Sequence, residues 1–164
     1  MANEVDLRFS LNGRPVRARV EARRVLVDFL REDMTMFGTK ISCDQGACGA
    51  CTVLVDGVPT ASCSTFAFEV DGKAITTIEA ADAEDATLHI LREEFAAAGA
   101  LQCGFCTSGM IMFAKYVLDS GERPDRHEIR RLLTGNWCRC TGYEVIVDAI
   151  YLASKRLGVM GTRQ

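Results

Sequence analysis

The chain has eight cysteines, and they fall into two sets of four with none left over. Cys43, Cys48, Cys51 and Cys63 are spaced C-x4-C-x2-C-x11-C; Cys103, Cys106, Cys138 and Cys140 are spaced C-x2-C-x31-C-x-C. Gathering four thiols at one point is a stricter demand on a small chain than any apolar pattern, because ligation needs each of them deprotonated and in reach of a shared centre. A reducing compartment keeps such thiols from pairing as structural disulfides. The N-terminus, Met1-Ala2-Asn3-Glu4-Val5-Asp6, lacks the basic start and apolar core of a secretory signal. No apolar run approaches the about 20 residues that span a bilayer. The expectation is therefore a cytoplasmic chain with no transmembrane segment, built around two four-thiolate metal sites.

The first spacing is that of a plant-type 2Fe–2S ferredoxin. In the run Cys43-Asp44-Gln45-Gly46-Ala47-Cys48-Gly49-Ala50-Cys51, three thiolates share one tight loop. Gly46 and Gly49 allow backbone conformations other residues resist, and let N–H groups turn inward toward anionic sulfur. Cys63 is expected from the next strand. For the second set, Cys103-Gly104-Phe105-Cys106 leads into an apolar helical stripe and Cys138-Arg139-Cys140 lies between helices. Helix N-termini there would favour negative charge. Zinc is the competing metal, since four thiolates also suit a tetrahedral site, and by spacing alone the second set admits either. Arg139 reads equally as a tuning charge or as a hydrogen bond to a carbonyl.

The two halves differ in period. Val5, Leu7, Phe9 and Leu11 alternate with polar residues, as do Val16, Ala18 and Val20 beyond Asn12-Gly13, which predicts a hairpin. Val25, Leu26, Phe29 and Leu30 recur at helical spacing. Strands are expected over Thr52–Val55, from Val58 after an Asp56-Gly57 turn, through Phe66, Phe68 and Val70, and from Ala74 to Ile78. The order suits a compact β-grasp. After an acidic, alanine-rich stretch near residues 79–85 the pattern turns helical. Leu88, Leu91 and Phe95, then Met110 to Leu118, then Ile129 to Leu133 behind an Asp125/Glu128 capping box, then Ile146 to Leu157 before Gly158, predict four helices. The fold class is thus α+β. A plant-type ferredoxin-like β-grasp domain over 1–80 precedes a four-helix 2Fe–2S domain over 81–164.

Other chemistry is poorly supported. The formal charge is −3 with neutral cysteines; two oxidised clusters, each formally −2 with its thiolates, would bring it to about −7. Nothing there suggests nucleic acid. Arg14, Arg17, Arg19, Arg23 and Arg24 read as a solvated or subunit-facing surface. His89 and His127 read as surface side chains, and no catalytic residue is identified. Trp137 reads as a cluster shield or as packing.

Three strings, Gly46-Ala47-Cys48-Gly49-Ala50-Cys51, Gln102-Cys103-Gly104-Phe105-Cys106 and Gly135-Asn136-Trp137-Cys138-Arg139-Cys140-Thr141-Gly142-Tyr143, closely resemble the iron–sulfur subunit of molybdenum hydroxylases. That family includes xanthine dehydrogenase, carbon monoxide dehydrogenase, and bacterial enzymes acting on aldehydes or N-heterocycles. The resemblance covers nearly the whole chain. It implies a proximal cluster on Cys103, Cys106, Cys138 and Cys140, beside a molybdopterin (as the cytosine dinucleotide) on a large partner subunit. It implies a distal cluster on Cys43, Cys48, Cys51 and Cys63, nearer the FAD of a medium subunit. Gln102 and Cys140 would contact the pterin, and the assembly would be a dimer of heterotrimers. Electrons would pass from molybdenum through both clusters to FAD or another acceptor, with no turnover by this chain alone. Two departures stand out: Ser108 replaces the usual proline and is expected to cap the following helix, and Trp137 stands where many relatives have leucine. A free-standing two-cluster ferredoxin and a zinc-stabilised interaction module are the rival readings; the Met110-Ile111-Met112-Phe113 run speaks against the former, although core packing also explains it.

Overall fold

The computed structural model describes residues 3–80 and 85–161. Strands β1 (Glu4–Leu11) and β2 (Arg14–Glu21) pair in register from Glu4↔Glu21 to Leu11↔Arg14. Asn12 and Gly13 close the hairpin at φ 51° and 78°, the left-handed pair that a two-residue turn of matching twist requires. A second hairpin, β3 (Thr52–Val55) and β4 (Val58–Ala61), turns in the same way on Asp56 and Gly57. Strand β5 (Ala74–Thr76) joins the two, parallel to β1 and antiparallel to β3, in a mixed sheet of order β2-β1-β5-β3-β4. One turn of helix, α1 (Leu26–Asp28), continues as a π-helical turn over Phe29–Asp33 and covers the sheet. Leu7, Phe9 and Leu11 face Leu26, Phe29 and Leu30 in this first core.

The stretch expected as a strand through Phe66, Phe68 and Val70 is instead a 3-10 turn over Ala67–Val70. Ala67 and Val70, three residues apart, share its buried side, the spacing of such a turn. Phe66 and Phe68 stack on each other outside, ring centroids 5.6 Å apart.

Four helices follow: α2 (Ala86–Ala97), α3 (Thr107–Asp119), α4 (Arg126–Leu132) and α5 (Glu144–Gly161). The capping box forms in both directions, with Glu128 N–H donating to Asp125 at 2.8 Å and Asp125 N–H to Glu128 at 2.9 Å. Gly158 does not stop α5. A glycine stop needs a left-handed residue, and Gly158 stays helical, a conformation that costs glycine about 1 kcal/mol against alanine. Leu91, Phe95, Met110, Ile129, Ile146 and Ile150 fill a second core. Lys115 is buried, its Nζ 2.6 Å from both Asp85 and Asp119, which ties α3 to the N-cap of α2.

The cores meet at β3. Val53 and Val55 point into the first, while Leu54, on the opposite face, belongs to the second. Helix α3 therefore lies against the back of the sheet, close to the cysteine loop. The expected boundary at 80/81 falls at residues 81–84, outside the described residues. Among the described residues no helix is long and apolar enough to cross a membrane.

Candidate metal centres

The first four thiols lie where the loop before β3 meets the turn after β4. The loop curls inward because Asp44, Gly46 and Gly49 all take positive φ, at 56°, 73° and 73°. Its N–H groups then point at sulfur: Gly46 to Cys63 Sγ at 3.2 Å, Ala47 to Cys43 Sγ at 3.3 Å and Cys48 to Cys43 Sγ at 3.4 Å. The Gln45 backbone N–H is the main force drawing the Cys43 thiol down to about 6, against a smaller opposing effect of burial; the Ala47 and Cys48 N–H groups help. Burial pushes Cys51 up to about 11. Cys63 sits not in a strand but in a 3-10 turn, Ser62–Ser64, directly after β4. Ser62 is fully buried and donates its hydroxyl to the Cys51 carbonyl at 2.7 Å. Cys48, Cys51 and Cys63 are buried and Cys43 is half-buried.

The second four thiols lie at the start of α3 and in the loop before α5. Cys106 is the N-cap of α3, without a side-chain cap bond. Cys103 and Cys140 are exposed, their sulfurs 3.7 Å apart. Cys106 faces Cys138; burial first, then that neighbour, pushes the Cys106 thiol up to about 12. Burial is the largest single effect on Cys138 and works to raise it, but its hydrogen bonds together, led by the Thr141 hydroxyl and N–H at 3.1 and 3.4 Å with the Cys140 backbone and the Cys106 thiol, hold that thiol below its ordinary value. Gln102 donates its side-chain amide to the Cys140 carbonyl at 3.1 Å and is itself exposed. Close to these cysteines in the chain, Leu101, Phe105 and Trp137 present apolar side chains to solvent at 44%, 46% and 60% exposure. Arg139 is exposed and makes no side-chain hydrogen bond among the described residues, so the carbonyl bond considered for it is absent. His89 and His127 are exposed too, His89 beside Glu93 at 3.1 Å.

Three residues that sequence reasoning missed organise this second loop. Tyr143, left-handed at φ 72°, accepts the Cys138 N–H on its hydroxyl at 2.9 Å and donates to the Asn136 carbonyl at 3.2 Å. Asn136 is buried and its amide reaches the Gly49 carbonyl at 3.4 Å. Thr141 supplies the donors to Cys138. The one available signal was their place in the string around Cys138 and Cys140. Ser108 departs from expectation: it sits inside the first turn of α3, where its buried hydroxyl caps nothing and finds no partner among the described residues.

Within each set the thiols come in twos. Cys43 contacts Cys48 and Cys51 contacts Cys63; Cys103 contacts Cys140 and Cys106 contacts Cys138. Among the described residues, no three His, Cys, Asp or Glu side chains are placed to hold a single ion. A 2Fe–2S cluster takes four thiolates, two on each iron. Paired thiols with backbone N–H groups aimed at their sulfurs fit that group.

Residues 17–91 match a family described as a 2Fe-2S iron-sulfur cluster binding domain, and residues 77–151 one described as a 2Fe-2S binding domain. The chain is 43% identical to the nicotine 6-hydroxylase small subunit of Paenarthrobacter nicotinovorans, over 96% of this chain and 94% of that one. It is 41% identical to the nicotinate dehydrogenase small FeS subunit of Eubacterium barkeri, over 94% and 98% respectively. Among solved structures, quinoline 2-oxidoreductase from Pseudomonas putida 86 includes a chain that superimposes with a TM-score of 0.89 at 42% identity, covering 98% of this chain and 99% of that one.

Proposed function

The chain belongs to the family of small iron–sulfur subunits of heteromeric molybdenum hydroxylases, and from that premise we propose how it serves as the electron-transferring subunit. Cys43, Cys48, Cys51 and Cys63 hold one 2Fe–2S cluster in a ferredoxin-like β-grasp domain, residues 1–80. Cys103, Cys106, Cys138 and Cys140 hold the other in a helical domain, residues 81–164. When bound, each cluster accepts and returns one electron at a time. The chain's own residues do the rest: paired thiolates ligate, inward N–H groups from Gly46, Ala47, Cys48 and Thr141 stabilise the negative sulfurs, and packing with Val27, Val25, Ile41 and Ala61 keeps water from Cys51 and Cys63.

The observation that carries the reading is the asymmetry of the two sites. Cys103, Cys140 and Gln102 lie open at the surface, and three residues close to the site's cysteines and Gln102 in the chain, Leu101, Phe105 and Trp137, are exposed too. Exposed apolar side chains clustered around polar groups mark an interface. This favours a subunit over a free-standing ferredoxin, and the partner is the large molybdopterin-binding subunit. Gln102 and Cys140 reach its pterin, taken as the cytosine dinucleotide form. The first site, through its half-buried Cys43 side, passes electrons to the next acceptor, FAD on a medium subunit, in a dimer of heterotrimers. Eight free thiols suit a reducing, cytoplasmic setting.

The test is iron and acid-labile sulfide analysis with low-temperature EPR of the dithionite-reduced protein. About four irons, four sulfides and two distinct 2Fe–2S signals per chain are expected. Zinc, or one signal with half the iron, would overturn the relay.

A further inference from the structure

One face of the first hairpin carries charge that is matched at one end and unmatched at the other. Burial of Leu7, Phe9 and Leu11 turns Asp6, Arg8 and Ser10 to the opposite side of β1, where the register sets them against Arg19, Arg17 and Pro15. Toward the free ends of the strands the charges pair. Arg19 lies 3.4 Å from Glu4 and 3.2 Å from Asp6, and Arg23 lies 2.9 Å from Glu21. Nearer the turn, Arg8 and Arg17 stand directly opposite each other, and like charges so placed weaken a strand pair. Lys73 joins them, because the Ser10 N–H donates to its carbonyl at 2.9 Å and holds it beside β1. All three cations are exposed, and none has an ion pair among the described residues. The acids nearby are engaged elsewhere: Asp71 accepts the Arg8 N–H at 2.7 Å and Asp56 the Ala74 N–H at 2.8 Å. Arg8, Arg17 and Lys73 line an open groove of about 610 Å³ with Ser10, Pro15 and Asp56. A second hollow of about 320 Å³ borders the same two arginines on the side of Asp6 and Arg19.

This basic cluster stands on a chain whose formal net charge is −3. The groove is too open to bury a small molecule over most of its surface. It presents no exposed aromatic ring on which a base would stack. Resting on the reading of the chain as a subunit of a heteromer, and not on its clusters, we propose that the groove docks an acidic segment of a partner subunit, whose carboxylates pair with Arg8, Arg17 and Lys73. The partner's charge removes the repulsion between the two arginines, so assembly relieves a clash that folding leaves in place. The groove is an anchor and not a station for electrons. Cys51 precedes β3 and Asp56 follows it, which at about 3.3 Å per residue sets them about 16 Å apart along the strand. Charges placed this way act chiefly on the rate of encounter, through a field that salt screens.

The experiment uses the purified, assembled enzyme and a water-soluble carbodiimide, which joins an amine to a carboxylate only where the two touch. Mass spectrometry of the peptides should find Lys73 joined to an Asp or Glu of a partner subunit. Lys73 left unlinked, or linked only to carboxylates of its own chain or of a second copy, would overturn the proposal. Arg17→Gln then separates docking from folding. It ends the clash with Arg8, so the free chain should unfold at the same or a higher denaturant concentration than wild type. Its association with the other subunits of the enzyme should nevertheless slow about tenfold or more at low salt. The gap should close near 1 M salt, where charges are felt over only about 3 Å. Arg8→Gln should behave alike, and iron content and EPR signals should stay those of the wild type in both. Association at the wild-type rate in both variants would overturn the groove. An unmodified chain that associates with no other subunit would overturn the subunit reading, and the groove with it.

Discussion

Cys48, Cys51 and Cys63 are buried by the chain's own folding, the last two packed with Val27. Cys103 and Cys140 lie in the open, and Leu101, Phe105 and Trp137, near the site's cysteines in the chain, are exposed as well. The first site is enclosed by folding; in the reading proposed above, the second is enclosed by assembly. In the proposed relay, that division leaves the receiving end reachable by its donor. The same exposure that would leave a cluster wet in the free chain becomes short-range contact in the complex.

Ligand replacement should break this comparison most severely. Cys51→Ser and Cys103→Ser should each lower iron from about four to about two atoms per chain and remove one EPR signal. Their metal-free forms should part company. Cys51→Ser buries a hydroxyl in a tight core and should cost about 1–3 kcal/mol in denaturant unfolding. Cys103→Ser changes an exposed atom and should stay within about 0.5 kcal/mol. In the assembled enzyme Cys103→Ser should abolish substrate-driven electron delivery to the acceptor. Equal destabilisation of the two metal-free variants would erase the distinction between an enclosed and an open site.

Which parts of this were legible in the sequence follows from the range of the forces involved. The Asn12-Gly13 turn and the Asp125/Glu128 capping box are set by residues within four positions of each other, and both could be read directly. The Ala67–Val70 turn could not, because the alternation of Phe66, Phe68 and Val70 suggests a strand and only neighbouring elements decide which residues go inside. Gly158 carried a stop signal that the rest of α5 overrode. At the thiol sites the spacing put the two sets in view, but not the crosswise contacts of Cys103 with Cys140 and Cys106 with Cys138. Those depend on how the Tyr143 hydroxyl gathers the loop, through a left-handed backbone that tyrosine rarely takes. The close approach of Gly109 to the Gly49 carbonyl was equally hidden, since the two residues meet only in space.

Weaker perturbations sharpen the contrast between the halves. Replacing Trp137 and Phe105 together with serine should weaken capture of the molybdenum subunit by about 2 kcal/mol or more, the scale of aromatic anchors at an interface. The free chain should unfold within about 0.5 kcal/mol of wild type; a large loss in the free chain would make the pair core residues and remove the argument for an open site. Tyr143→Phe deprives the Cys138 N–H and the Asn136 carbonyl of their partners and should cost about 1–3 kcal/mol. It should also displace the EPR signal of the second site and leave the first unchanged. A shift of both signals would mean that the loop also shapes the first site across the contact of Asn136 with Gly49.

The smallest test sets two buried serines against each other, each beside a ligand cysteine. Ser62, next to Cys63, spends its hydroxyl on the Cys51 carbonyl. Ser108, two residues after Cys106, has an equally buried hydroxyl with no partner among the described residues. Removing a satisfied donor strips a buried bond, whereas removing an orphan returns the desolvation penalty it already bears. Ser62→Ala should therefore lose about 1 kcal/mol and Ser108→Ala should gain about the same, read from chemical denaturation of the same preparation. A loss in Ser108→Ala comparable to that in Ser62→Ala would mean the hydroxyl has a partner in the loaded protein. If that partner were the thiolate of Cys106, two residues earlier in the chain, the second EPR signal would move with the substitution.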